Sequence, residues 1–303
     1  MQKILITGSN GLLGQKLVEL IVSSGEFELI ATGRGINRLS KFSNKYTYVS
    51  LDITSKEAVM NAISTHKPHV VIHGAAMTNV DQCELNKEEC WLQNVVATRN
   101  IAEACLANGS FLVHVSTDFI FDGSEGPLKE EAKPAPVSFY GYSKLAAEEL
   151  IQKMEGLEWS IARTVLVYGI AEDMSRTNII LWVKKSLEEQ KQIKVVDDQW
   201  RTPTLAEDLA QGCYLIAKKQ AKGIFNISGK DFLNPLQMAY MTADYFGLDK
   251  SYITKADSTT FSQPAKRPPK TGFVIDKAIN ELGYKPHSFE EGIALLASQL
   301  KQM

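Results

Sequence analysis

Thr7-Gly8-Ser9-Asn10-Gly11-Leu12-Leu13-Gly14 constrains this chain more than any other stretch. It joins an apolar run, Ile4-Leu5-Ile6, to an amphipathic run over 12–22 that keeps Leu13, Leu17, Leu20 and Ile21 on one side. Strand, glycine turn and helix in that order open a βαβ unit. Gly8 permits the sharp turn, Gly11 lets backbone approach a pyrophosphate, and Gly14 lets the helix pack closely on the sheet. The helix N-terminus then offers free N–H groups and the positive end of its dipole to phosphates. The spacing is G-x-x-G-x-x-G, and a ligand-free strand-to-helix turn can carry the same glycines; the βαβ setting favours the dinucleotide. Ser9, Asn10, Leu12 and Leu13 complete the turn and its expected cofactor contacts.

The alternation continues along the chain. Apolar strands are expected at 27–31, 46–51, 69–73, 111–115, 159–164 and 224–227, with helices at 56–64, 87–107, 138–154 and 206–218. Short apolar runs without polar alternation are strands covered on both faces, so the sheet should be parallel. Right-handed crossovers then give an α/β, doubly wound (Rossmann) fold. Beyond Tyr168 the pattern loosens: a helix at 177–189, a strand at 193–196, helices at 236–246 and 289–301, and a proline-rich loop with Pro264, Pro268 and Pro269. The expected division is a dinucleotide domain of residues 1–168 and 204–229, and a smaller substrate domain of 169–203 and 230–303.

Composition removes several classes. Lys and Arg number 33 against 35 Asp and Glu, a net charge of −2, without a long basic block, so nucleic acid is not an expected partner. Hydrophobic residues at 44% and charged ones at 22% are globular usage. No run is long and apolar enough for a membrane span, and no signal-peptide core follows Met1, so a soluble, cytoplasmic protein is expected. The four cysteines form no C-x-x-C pair, and His66, His69, His73, His114 and His287 are scattered, so no metal is expected. Cys90 and Cys105 read as small apolar groups, and Glu88-Glu89 and Glu148-Glu149 as solvated helix faces.

Two features point to chemistry. The second strand ends in Ala31-Thr32-Gly33-Arg34-Gly35, with Arg38 following and no acid to hold a ribose 2′-hydroxyl. Arg34 therefore favours NADPH over NADH, by pairing with a 2′-phosphate or stacking on adenine; a solvated surface arginine is the rival reading. Tyr140 and Lys144, four residues apart near a helix start, share a face. An ammonium beside a phenol lowers its pKa and suits it to proton transfer at a carbonyl oxygen. Ser116-Thr117, expected just beyond the fifth strand, can supply a hydroxyl to the same oxygen.

These residues resemble the extended short-chain dehydrogenase/reductases over essentially the whole chain. Carrying the resemblance are the glycine turn, Asp52-Ile53, His73-Gly74-Ala75-Ala76-Met77-Thr78, Ser116-Thr117-Asp118, and Tyr140 with Lys144. Ala75–Asp81, Val115–Gly123, Arg163-Thr164 with Val167-Tyr168-Gly169, and Asp198-Gln199 with Pro203-Thr204 look most like its dTDP-4-dehydrorhamnose reductase branch. The resemblance implies Tyr140 as proton donor, Lys144 at the nicotinamide ribose, and Thr117 as third member of the triad. It implies Asp52 and Ile53 at the adenine, Ala75, Ala76 and Thr78 along the phosphate–ribose side, and Asn94 near the cofactor or on a helix surface. Arg201 is implied at the substrate's phosphates, with a surface ion pair as its rival. Val80 is implied beside the substrate, Asp118 at the sugar or in a turn, and Arg267 near the substrate or as a loop cation. Leu166 stands where that branch carries a tryptophan, removing an aromatic platform beside the sugar, and Trp200-Arg201 replaces small residues. The implied activity is NADPH-dependent reduction of a 4-keto-6-deoxy nucleotide sugar. A nucleotide-sugar epimerase is one alternative. A non-catalytic NADP-binding subunit is another, since the regulatory subunit of methionine adenosyltransferase resembles the same branch. Homodimers are frequent among such proteins, and a homodimer is possible here.

Overall fold

Apolar side chains on both faces of the strands dictate the layering. The computed structural model describes residues 1–39, 41–42, 44–173 and 177–301. Ile4 and Ile6 of β1 (Gln2–Thr7) pack with Leu17, Val18 and Ile21 of α1 (Leu12–Ser24). Leu5, between them, packs on the opposite face with Val59 and Ile63 of α2 (Lys56–His66). A strand so covered cannot expose an edge face to water, and its neighbours repeat the pattern.

The strands follow as β2 (Phe27–Gly33), β3 (Thr47–Ser50), β4 (Val70–His73), β5 (Phe111–Thr117) and β6 (Trp159–Thr164). Three short strands, β7 (Val167–Tyr168), β8 (Ile193–Val196) and β9 (Thr204–Leu205), stand apart, and β10 (Gly223–Asn226) returns to the main sheet. That sheet has seven parallel strands in the order β10-β6-β5-β4-β1-β2-β3. The chain order reverses between β1 and β4, and the crevice at their carboxyl ends is where such sheets bind ligands.

Helices α3 (Val80–Leu85), α4 (Lys87–Trp91), α5 (Ala97–Asn108) and α6 (Phe139–Gln152) precede α7 (Ile179–Glu188) and α8 (Ala206–Lys219). Leu209, Cys213 and Ile216 of α8 join α1 on one face; Ile101 and Cys105 of α5 and Ile151 of α6 join α2 on the other. The doubly wound α/β fold is therefore present. The helix expected over 87–107 is α4 and α5 joined through a π-helical stretch, Leu92–Val96. Such a bulge re-aims side chains within a helix and is frequent at functional sites.

A second, smaller assembly is built from α7, α9 (Pro235–Phe246) and the parallel pair β8–β11 (Ile253–Ala256), with Val183, Leu187, Val195, Ala239 and Ala243 inside it. Another cluster joins Tyr168 and Leu205 to Ile180, Met238 and to Phe289 and Ile293 of α10 (Phe289–Leu300). Of the segments expected to form a substrate domain, residues 174–176 and 302–303 lie outside the described residues. Several elements went unanticipated: α3, the two-residue strands β7 and β9, β11, and a π turn at Ala278–Leu282. Runs of two to six residues are too short to display a period.

Candidate active site

The glycine turn is shaped for a bound group. Gly8 adopts φ +77°, which side-chained residues rarely do. A Cβ on Gly14 would lie 2.1 Å from the Gly8 carbonyl oxygen, so only glycine lets α1 start so near the strand. Gly11 would meet only that same oxygen, at 3.4 Å, leaving its outer side open. No side chain caps α1, so the N–H groups around Leu12, Leu13 and Gly14 have no capping partner, and the buried Ser9 hydroxyl has no partner among the described residues. An open backbone, free N–H groups and an orphaned hydroxyl fit a dinucleotide pyrophosphate.

Asn10 builds the neighbouring loop. Its Nδ2 donates to the Ile36 carbonyl at 3.0 Å and its Oδ1 accepts from the Arg38 N–H at 3.0 Å. That loop presents Arg34, exposed, with no hydrogen bond or ion pair holding its guanidinium among the described residues. Asp52 accepts from the Thr54 N–H and hydroxyl, at 2.9 and 2.7 Å, which lowers its carboxyl pKa, with a smaller contribution from Arg34. Ile53 is buried in the core of that face. Ala75 abuts the turn: a Cβ on Gly8 would lie 3.0 Å from its backbone, and its N–H donates to Thr7 Oγ1 at 3.2 Å. Ala76 follows, half-buried, and Thr78 is exposed.

Thr117 is the last residue of β5, inside the strand and not beyond it, because its pairing with Thr164 extends the ladder two residues past the expected end. Tyr140 and Lys144 lie on α6, whose N-cap Ser138 accepts from the Gly141 N–H, while Glu84 of α3 accepts from the Phe139 N–H at 2.9 Å. Gly141 is obligatory, since a Cβ there would fall 2.0 Å from the Phe119 carbonyl oxygen. The phenol of Tyr140 is buried against Cys83 and Cys90, with Val80, Met77 and Phe119 around them. Burial pushes its pKa up; the Thr117 hydroxyl against it pulls down, and the Asp118 charge adds to the rise. Lys144 is also buried and donates to the Val115 carbonyl at 2.8 Å and to His114 Nε2 at 3.2 Å. Burial lowers its pKa to about 8, against the opposing charge of Glu148. The expected lowering of the phenol pKa by Lys144 is thus not what this structure has: the ammonium makes its hydrogen bonds elsewhere, and desolvation dominates.

Other expectations change with burial. Glu148 is not on a solvated face but 0% exposed, accepting from Arg163 Nε at 3.1 Å and Nη2 at 2.7 Å. Asn94, in the π-helical stretch, is buried and not on a helix surface. It accepts from the Met77 N–H at 2.8 Å and donates to the Met77 carbonyl and Ser143 hydroxyl, at 3.1 and 3.0 Å. Arg201 is 4% exposed: it donates to the carbonyls of Trp200 and Pro268 at 2.8 and 2.6 Å and faces Asp118 at 3.6 Å. That contradicts the surface-pair reading, and it leaves few donors for a substrate phosphate. Asp118 is buried too, bonded to Thr117 and Thr271; burial raises its pKa although Arg201 opposes. Arg267 forms a two-pronged pair with Asp81 of α3, at 2.8 and 3.2 Å.

Leu166, in a left-handed conformation (φ +36°), borders a cavity of about 320 Å³ with Tyr168, Asn178, Trp182 and Pro203. Trp182, on α7, brings an aromatic ring to the wall that Leu166 leaves without one. Sequence reading also missed Glu84, Thr271, the pairing of Arg163 with Glu148 and the His114 contact. For Glu148 a signal existed: it follows Lys144 by four residues and Tyr140 by eight, on their inward face.

Comparison with known proteins bears on this geometry. Residues 1–302 match the RmlD substrate binding domain family. The chain is 30% identical to dTDP-4-dehydrorhamnose reductase from Aggregatibacter actinomycetemcomitans, covering 97% of both chains. It is 31% identical to methionine adenosyltransferase 2 subunit beta from Xenopus laevis, over 83% of this chain and 74% of that one. Among solved structures, a dTDP-4-dehydrorhamnose reductase from Clostridium acetobutylicum superposes with TM-score 0.86 at 28% identity, covering all of both chains. The Bacillus anthracis dTDP-4-dehydrorhamnose reductase, solved in complex with NADP, gives 0.82 at 26%, covering 99% of this chain and all of that one. With its parallel sheet, its open glycine turn and the Thr117–Tyr140–Lys144 group, this chain belongs to the RmlD substrate binding domain family.

Proposed function

We propose that this protein is an NADPH-dependent reductase of a 4-keto-6-deoxy nucleotide sugar. The observation that carries the reading is the Thr117 hydroxyl, on the last residue of β5, set against the buried Tyr140 phenol, with buried Lys144 one helical turn further along α6. Gly8, Ser9, Gly11, Leu12, Leu13 and Gly14 hold the pyrophosphate, Arg34 the 2′-phosphate, and Asp52, Ile53, Ala75, Ala76 and Thr78 line the remaining cofactor path. NADPH, when bound, supplies the hydride to the keto carbon. Tyr140 gives its proton to the ketone oxygen, and the Thr117 hydroxyl donates to that oxygen as charge develops. A phenol whose pKa burial has raised keeps its proton until the oxygen becomes basic enough to take it, which suits reduction. Lys144 places a positive charge on the same helix face, and Asn94 fixes the loop carrying Ala75, Ala76 and Thr78 through Met77. Val80, Asp118 and Leu166 border the substrate, and Arg201 braces Asp118.

Mixing the protein anaerobically with NADPH and dTDP-4-keto-rhamnose tests this: NADPH absorbance should fall stoichiometrically with ketone. No oxidation with any nucleotide 4-keto sugar refutes the reading. The likeness to methionine adenosyltransferase 2 subunit beta favours a second one, a non-catalytic NADP-binding subunit. Inactivity combined with a stable stoichiometric partner in pull-downs would select it.

A further inference from the structure

We propose that His114 is a positioning residue for Lys144, its neutral imidazole accepting a hydrogen bond from the ammonium and holding that cation on the face it shares with Tyr140. The inference rests on the reductase reading, in which Lys144 works as a cation.

Lys144 is 3% exposed, yet among the described residues no carboxylate lies within ion-pair distance of it. Glu148, one turn further along α6, is bound to Arg163. What the ammonium touches is neutral: the Val115 carbonyl oxygen at 2.8 Å and His114 Nε2 at 3.2 Å. An ammonium has protons and no lone pair, so Nε2 must be the acceptor and the ring proton must sit on Nδ1. That Nδ1 is buried and has no hydrogen-bonding partner among the described residues. Among the described residues the ring thus meets a hydrogen-bonding partner at Nε2 alone, and that lone pair faces Lys144. Its own protonation would set two cations side by side, and burial, Lys144 and His73 together hold its pKa well below the ordinary imidazole range.

The ring is braced from behind. His73 pairs with His114 across β4 and β5, with ring centroids 5.4 Å apart. His73 is pinned at both nitrogens, by Thr7 Oγ1 at 2.8 Å and Thr98 Oγ1 at 3.2 Å. The groups that bear on the ammonium are Glu148 from its own helix, Cys90 from α4, His114 from β5 and His73 from β4. Of these, Cys90 also titrates near neutrality: its pKa is lowered to about 7 by hydrogen bonds with Cys83, Ser143 and Asn94.

The test compares two amides. Glutamine at 114 can place an acceptor where Nε2 stood, whereas asparagine places one near the Nδ1 position. With lysine Nζ labelled by ¹⁵N, the Lys144 titration in His114→Asn should move down by about one pH unit, the loss of one charge-assisted hydrogen bond. In His114→Gln it should stay near the wild-type value, and the alkaline limb of kcat should follow the same order while KM for NADPH changes less. A Cys90→Ser background removes the other group titrating there. His114→Leu, if folded, should behave like asparagine. Equal titrations in the asparagine and glutamine variants, or an unchanged one in leucine, overturn the inference. The NMR reading stands apart from turnover, so inactivity on every sugar would defeat the reductase reading and leave this contact to be judged separately.

Discussion

Replacing Arg163 by methionine probes how the helix carrying Tyr140 and Lys144 is held. Arg163, on β6, sends Nε and Nη2 to Glu148 at 3.1 and 2.7 Å and Nη1 to the Glu130 carbonyl at 3.0 Å. The two side chains are 3% and 0% exposed, so water cannot replace either partner. In Arg163→Met the carboxylate either stays charged without a partner or takes up a proton, and breaking a buried pair from one side costs about 3–5 kcal/mol. At roughly 2 °C per kcal/mol for a chain of this size, the melting temperature should fall by about 6–10 °C.

The assay is urea unfolding with scanning fluorimetry, on Arg163→Met, Glu148→Leu and the double variant. Removing both charges leaves no unpaired ion, so the double variant should recover most of the loss. A single-variant loss below about 1 kcal/mol, or a double variant as unstable as Arg163→Met, would refute the claim that charge pairing, and not packing volume, anchors α6.

Gly14→Ala should abolish NADPH binding and lower stability, because its Cβ would fall 2.1 Å from a backbone oxygen that cannot swing aside; an intact thermal shift with NADPH contradicts this. Arg34→Ala should weaken NADPH at least about tenfold by calorimetry while leaving NADH unmoved, a loss of roughly 1.4 kcal/mol. Tyr140→Phe should cut kcat by about 10²–10⁴ with little change in cofactor affinity. Lys144 yields opposite signs for activity and stability. Its folded pKa, about 8, lies below its ordinary 10.5, so the unfolded chain binds the extra proton between those values. Turnover should decline above about pH 8, while this group's contribution to stability rises over the same interval; a flat rate profile from pH 7 to 9 would count against its working as an ammonium.

How far the sequence could be read depended on where each signal resides. The parallel sheet was legible because strands such as Ile4-Leu5-Ile6 lack a polar face, and Gly8 and Gly11 join a strand to a helix whose first turn holds Gly14. Tyr140 and Lys144 were legible as a local spacing. What stayed hidden was long-range pairing between residues of ordinary identity. Nothing local shows Arg163 folding against Glu148, or Arg201 closing on Asp118 and the carbonyls of a proline-rich loop. Periodicity could have placed Glu148 inward; it could not have named its partner. The pKa of Tyr140 was misjudged for a related reason, since helical spacing shows which residues share a face but not how dry that face is.

Burial has a chemical consequence that the spacing argument ran in reverse. If Lys144 mainly lowered the phenol pKa, Tyr140 would be readied as a base, the form needed to oxidise an alcohol. The structure instead keeps the phenol protonated through desolvation and the nearby Asp118 charge, and ties the ammonium to Val115 and His114. In the proposed reduction, a donor held above its ordinary range would release its proton only to a strongly basic oxygen, which a ketone becomes as hydride arrives. The buried Asp118, braced by Arg201 and Thr271 and bonded to Thr117, supports this arrangement from the far side. Its Asn variant, without the negative charge, should lower the phenol pKa, seen as an earlier onset of tyrosinate absorbance in an alkaline titration against a Tyr140→Phe control. An onset that stays in place would show that desolvation alone sets the state of Tyr140.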